Sequence, residues 1–173
     1  FFTNPLVPLY EGGQKYTNRH EASGIFKLDY EIIDGLKFTG IANVKYTFKN
    51  EESRARKVFY KNYFTQEVFE NGENSFSDRR DYNAYYNLQA LLNYKKSFGI
   101  HNLDILAGYQ QESENSDWLK GARSGYPTDI IWELNPGPKD NWSNDGNGEH
   151  WALASFIGRI NYDYDNKYIL SLS

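Results

Sequence analysis

Residues 151–168, WALASFIGRINYDYDNKY, restrict the fold more than any other stretch of the chain. Its even positions, Ala152, Ala154, Phe156, Gly158, Ile160, Tyr162 and Tyr164, are apolar, small or aromatic. Its odd positions pass from Trp151 and Leu153 to Ser155, Ile157, Arg159, Asn161 and Asp163. A period of two over this length is the pattern of a β-strand with one apolar and one largely polar face. Asp165-Asn166-Lys167 then turns the chain, and Tyr168, Leu170 and Leu172 restart the pattern. The parity of the two runs requires an odd loop, which sets Tyr164 opposite Tyr168. Any fold that contains this hairpin must cover its apolar face with a protein core or with lipid.

The same alternation recurs upstream. Ala22, Gly24, Phe26, Leu28, Tyr30 and Ile32 share one face, and Lys27, Asp29 and Glu31 share the other. After Ile33-Asp34-Gly35 the run Leu36, Phe38, Gly40, Ala42, Val44, Tyr46 and Phe48 lies against Lys37, Thr39, Ile41, Asn43, Lys45, Thr47 and Lys49. Keeping both apolar sets on one side pairs Ile32 with Leu36 and puts Gly35 where a type I turn with a bulge needs a left-handed residue. That register sets Glu31 opposite Lys37. A third run, Tyr82 to Tyr94, changes parity before Leu103, Ile105, Ala107 and Tyr109. The change calls for an even loop at Ser97–Ile100, with Lys96 opposite His101.

Strands are therefore expected near 21–33, 36–49, 82–96, 101–112, 151–164 and 168–173. Three short turns fall at one end, and long polar loops, 50–81 and 113–150, fall at the other. Within the first loop the aromatic stretch Val58 to Phe69 suits a short strand pair; within the second, Asn135-Pro136-Gly137-Pro138 excludes regular structure. Residues 1–19, with Pro5, Pro8, Gly12 and Gly13, read as an extended or looped segment. Transmembrane β-strands need about 9–11 residues, and bacterial barrels combine short inner turns with long outer loops. Composition agrees: aromatics reach 17 %, with 15 tyrosines, at a mean hydropathy of only −0.77. Tyr30, Phe38, Tyr94, Phe98, Tyr162, Tyr164 and Tyr168 cluster at the short-turn end, and Tyr46, Phe48, Tyr82, Tyr109 and Trp151 near the long-loop end, like the two interfacial girdles of a barrel. The fold class that follows is all-β: an antiparallel up-and-down meander of about six long strands, part of a large transmembrane β-barrel, with two long extracellular loops.

Other classes find little support. There is no cysteine, which excludes disulfides and thiolate metal sites. A net charge of −4 gives no reason to expect nucleic acid as a partner. No apolar run reaches the length of a transmembrane helix. No nucleophile triad, phosphate loop or paired-carboxylate motif points to an enzyme, and no cofactor is implied. The absence of an initiator methionine and an end inside a strand suggest a piece of a longer protein.

The segments GLKFTGIAN at 35–43, LQALLNYKKSFGIHNLDILAGYQQE at 88–112 and ALASFIGRINYDYDNKYILSLS at 152–173 resemble the barrel of SusC/RagA-type TonB-dependent outer-membrane transporters. Phe156 to Tyr164 with Lys167-Tyr168 carries the most specific part of the likeness. The resemblance implies a plugged barrel of roughly 22 strands in the bacterial (Gram-negative) outer membrane, with the plug outside this chain. It further implies energisation by the TonB complex through an N-terminal part, a SusD-like surface lipoprotein as partner, and import of oligosaccharide or peptide nutrients. A second reading is a soluble antiparallel β-sheet module that binds carbohydrate or protein and buries its own apolar face.

Candidate residues follow from the barrel. Lys27, Asp29, Glu31, Lys45, Asp104, Arg159 and Asp163 would face the lumen, either as a polar passage or as solvated cross-strand pairs. Trp118, Tyr126, Trp132 and Trp142 in the second long loop would suit stacking on a ligand or packing onto the rim. Asp140, Asp145 and Glu149 would be the donors of a loose calcium site; the EF-hand pattern begun by Asn141 fails because Ala152 stands where its last carboxylate belongs. The simpler reading of those acids is a solvated loop. His20, His101 and His150 lack the spacing of a metal site.

Overall fold

A computed structural model describes residues 6–173. A short helix, α1 (Leu6–Glu11), is followed by eight strands: β1 (Gly13–Ile33), β2 (Leu36–Ala55), β3 (Val58–Lys61), β4 (Val68–Asn71), β5 (Ser75–Phe98), β6 (His101–Ser124), β7 (Trp142–Tyr164) and β8 (Tyr168–Leu172). Six strands form one sheet in the order β1-β2-β5-β6-β7-β8, and β3 pairs with β4 in a separate small sheet. The large sheet is a meander interrupted once, where the β3–β4 hairpin is inserted between β2 and β5.

The strands are longer than their apolar patterns. β5 and β6 have 24 residues each, about 80 Å at the usual rise per residue. The barrel strands expected from hydropathy stop near the middle of these elements. Residues 50–55, 75–81, 113–124 and 142–150, expected in the two loops, belong to β2, β5, β6 and β7. The expected irregular segment also changes: α1 and the start of β1 occupy residues 6–19, while residues 1–5 lie outside the described part. The reason for the shortfall is chemical. In these outer ends both faces are polar, so alternation disappears from the hydropathy. Ion pairs two residues apart on one face replace it: Lys49–Glu51 at 3.0 Å, Glu52–Arg54 at 2.9 Å, Asp78–Arg80 at 3.1 Å and Arg79–Asp81 at 2.7 Å.

The chain divides into two compact units. The first contains the described residues up to 20 with 47–82 and 117–148. It holds all four buried core hydrophobics of the described residues, Val58, Tyr60, Phe76 and Tyr126. β3 and β4 pair with Val58 opposite Asn71 and Tyr60 opposite Phe69, whose rings stack at 5.4 Å. The Asn62 side-chain oxygen accepts from the backbone N–H of Phe64 and Thr65, closing the hairpin between them.

The second unit contains residues 21–46, 83–116 and 149–173. Here the expected registers appear. Tyr164 lies opposite Tyr168 and Tyr162 opposite Leu170. Asp165 and Asn166 adopt left-handed φ of 54° and 53°, which their short polar side chains tolerate. Gly35 is left-handed at φ 81°, as the bulged turn requires, and a side chain there would also strike the Lys95 carbonyl. Asp29 accepts from Thr39 at 2.6 Å, which are opposite one another when Ile32 faces Leu36. Asn93–Asp104 at 2.7 Å and Tyr85–Glu112 at 3.1 Å keep the offset of Lys96 opposite His101. The turn itself is tighter than the four residues expected, because β5 runs to Phe98 and β6 starts at His101.

The apolar face of this second unit is bare. Phe26 is 68 % exposed, Phe156 88 % and Leu170 54 %. Ile32, Val44, Leu88, Leu92 and Tyr109 are exposed as well.

Candidate polar face and outer cleft

The opposite face of the second unit carries a continuous set of polar side chains. Asp29 is its most connected acid: Lys27 and Lys37 each approach it to 3.1 Å, beside Thr39. Lys37 therefore reaches the diagonal Asp29 rather than Glu31, the partner directly opposite. Lys45 pairs with Glu21 at 3.1 Å. Asp104 accepts from Asn93 and is approached by Lys95 at 3.4 Å. Asp163 accepts from Asn102 at 3.2 Å and from the Asn166 backbone N–H at 3.0 Å, which ties it to the turn. Glu31 and Arg159 are exposed. Of the seven residues singled out from sequence, Lys27 and Asp29 are joined directly, while Lys45, Asp104 and Asp163 have partners outside the set.

Hydropathy missed a second group on this face. Asn83 and Tyr85 of β5, Glu112 and Glu114 of β6 and Trp151 of β7 form one cluster. Asn83 Nδ2 donates to Glu114 at 2.5 Å, and Trp151 Nε1 donates to the same carboxylate at 2.9 Å. The Tyr85 hydroxyl donates to Glu112, and the Tyr85 and Trp151 rings lie 6.4 Å apart. Trp151 thus leaves the outer girdle to which its place near the strand end assigned it. The available signal was parity: Trp151 shares its face with Ser155, Arg159 and Asp163.

In the first unit, a cleft of about 580 Å³ opens between the end of β2, the start of β5 and the loop after β6, with Lys57, Phe59, Glu73, Asn74, Thr128 and Asp129 among its walls. Asn74 fixes it. Its Oδ1 accepts from the Lys57 backbone N–H at 2.9 Å, its Nδ2 donates to the Tyr126 carbonyl at 3.2 Å, and its own carbonyl accepts from the Tyr126 N–H. Tyr126 is 5 % exposed, its hydroxyl donates to the Glu133 carbonyl at 2.7 Å, and burial pushes its pKa up.

The four aromatics, read from sequence either as a stacking platform or as packing onto the rim, have separate surroundings. Tyr126 is a packing residue. Trp132 lies 5.9 Å from the Arg56 guanidinium, which also pairs with Asp129 at 3.5 Å. Trp118 is on strand β6, not in a loop, with Arg79 4.0 Å above its ring. Asp81, in bidentate contact with Arg79, raises the Arg79 pKa. Trp142 opens β7 and is exposed. Glu51, gripped by Lys15 at 2.8 Å and Lys49 at 3.0 Å, is lowered to about 2. Asp140, Asp145 and Glu149 do not converge: among the described residues no group of three or more His, Cys, Asp or Glu is placed to hold a metal ion.

No family model matches the sequence. TonB-dependent receptor P3 of Formosa agariphila is 31 % identical over 149 residues, which is 86 % of this chain and 14 % of the receptor. The RagAB peptide transporter matches 94 % of this chain with a TM-score of 0.80 and 19 % identity, over 18 % of that chain. The RagAB peptide importer in its "closed-closed" state gives 0.81, again at 19 % identity, over 95 % of this chain and 18 % of that one. The chain thus spans about a seventh of its curated relative, and its fold is that of a segment of these transporters.

Proposed function

We infer that this chain is a stretch of the β-barrel of a TonB-dependent outer-membrane transporter of the SusC/RagA kind. In that role its apolar face meets the bilayer, its polar face lines the lumen, and the outer strand ends with the β3–β4 hairpin form part of the vestibule. The observation that carries this reading is the uncovered apolar face of the second unit. A soluble binding module would bury those positions, yet the buried hydrophobics belong to the first unit. Lipid is the solvent in which a sheet can leave such a face bare, provided the barrel closes and no edge remains.

The whole protein would import nutrient oligomers, peptide or glycan, with a SusD-like lipoprotein at the outer surface and the TonB complex as its energy source. Peptide transport is what the RagAB structures are named for, and the curated relative is named a TonB-dependent receptor. The test uses the full-length protein in its native host. It should fractionate with the outer membrane, migrate in a heat-modifiable way, and support uptake that stops when TonB is removed. Recovery in the soluble fraction would sink the reading.

A further inference from the structure

We propose that the outer edge of β4 is a subsite for an extended peptide, held through its main chain as a third strand of the β3–β4 sheet. The inference rests on the importer reading and names, between peptide and glycan, the substrate class that this subsite takes. β3 and β4 form a sheet of two strands, separate from the large one. The Asn62 N–H donates to the Glu67 carbonyl, and the Asn62 carbonyl accepts from the Gln66 N–H, so the backbone groups of Asn62 point into the hairpin. That direction alternates along a strand, and the register therefore turns Phe59 and Lys61 outward on β3 and Val68 and Glu70 outward on β4. The helix α1 lies against β3, and Gly12, just after that helix, accepts from the Arg56 N–H, just before β3. β4 has no such neighbour: among the described residues, the outward backbone groups of Val68 and Glu70 have no partner.

The edge adjoins an apolar face. Phe59, Lys61, Val68 and Glu70 lie opposite the buried Val58 and Tyr60, and Phe59 and Val68 are both exposed. Phe59 is also a wall of the outer cleft. A strand added beside β4 would extend the ladder with its backbone and lay alternate side chains on this face, the division of labour in peptide recognition by strand addition. A glycan has no regular row of N–H and C=O groups and cannot continue the ladder. Charge at the two ends of β4 fits a free peptide. Glu73, in the cleft beyond the last residue of β4, has no basic partner among the described residues, and Lys61, opposite Val68, has no acidic one. A peptide antiparallel to β4 would set its ammonium toward Glu73 and its carboxylate toward Lys61.

The experiment is calorimetry on the full-length protein in detergent. The probes are the peptide Ala-Val-Thr-Val-Ala, two forms N-methylated at alternate residues (both valines, or the threonine), and cellotetraose. Wild type should bind the peptide in preference to the glycan. The methylated form whose methyls face β4 should bind about 10-fold more weakly, the effect of leaving a buried acceptor unpaired, while the form whose methyls face away keeps its affinity. Val68→Pro deletes the outward N–H and leaves the β3–β4 ladder intact; it should lose about 10-fold as well, whereas Val68→Ala, which keeps the N–H, should bind nearly as wild type does. Equal binding of all three peptides, or undiminished binding by Val68→Pro, overturns the subsite even where peptide binds elsewhere on the protein. A wild type that binds no peptide overturns it too. So does a Val68→Pro variant whose only change is a smaller assembly in size-exclusion chromatography, which would make the edge a contact between copies. If Val68→Pro does not assemble, the two methylated peptides on wild type decide. The importer reading falls separately, by recovery of the protein in the soluble fraction, which none of these binding comparisons measures.

Discussion

Glu51 shows how a residue in a polar strand end contributes through charge. Lys15 from β1 and Lys49 from its own strand both hold its carboxylate. Its folded pKa, about 2, lies below the value of about 4.3 for a free glutamate. A depressed folded pKa means stability that is fully present above the unfolded value and lost as pH falls toward the folded one. Hydrogen exchange at the β1–β2 outer end should therefore lose protection between about pH 4.3 and 2, and Glu51→Gln should flatten that dependence. An unchanged profile in the variant would place the acid sensitivity elsewhere. Tyr126 contributes by packing. Gly137 leaves room for its ring, since a side chain there would come within 2.6 Å of it. Tyr126→Phe should cost about 1 kcal/mol by leaving the Glu133 carbonyl short of its donor, read as faster proteolysis of the loop at 125–141. A cleavage rate equal to wild type would mean that the hydroxyl does not hold the loop. Neither role was legible in the sequence. Tyr126 and Gly137 meet inside an aperiodic, proline-rich loop, and an aromatic there reads equally as ligand platform or as filler.

At the scale of elements, alternation was legible wherever one face of a strand is apolar. The turn at Gly35 and the register that sets Tyr164 opposite Tyr168 follow from parity and turn chemistry, and the β3–β4 pair from the aromatic stretch Val58 to Phe69. The outer ends of β2, β5, β6 and β7 were not legible, because two polar faces erase the period that reveals a strand. The same logic hid Trp151, whose bulk suggested a girdle while its parity put it beside Glu114. Parity also makes the lipid-facing assignment testable. Leu88→Arg or Phe156→Arg in the full-length protein should destabilise the barrel by about 2–4 kcal/mol near the midplane. Gln89→Arg, one residue along on the polar face, should assemble normally. Heat-modifiable mobility after refolding into vesicles separates the two. Equal tolerance of all three substitutions would mean that the faces are not divided between lipid and lumen.

For the molecule as a whole, two open edges and one bare apolar face are the features that the proposed barrel would have to satisfy. The sheet order leaves β1 and β8 as edges among the described residues. Each edge presents unpaired N–H and C=O groups, a template for further strands. The apolar face of the second unit adds a surface that water does not solvate well. A closed barrel in lipid resolves both conditions together, because closure removes the edges and lipid covers the face. Residues 1–173 expressed on their own without detergent should therefore associate through edges and face alike. Size-exclusion chromatography should show soluble aggregate or void-volume material, and a solvatochromic dye should report exposed apolar surface. Detergent micelles should reduce the dye signal while leaving the chain oligomeric, since micelles cover the face but do not pair the edges. A monodisperse monomer that unfolds cooperatively in plain buffer would contradict this, and would make the apolar face part of a soluble core.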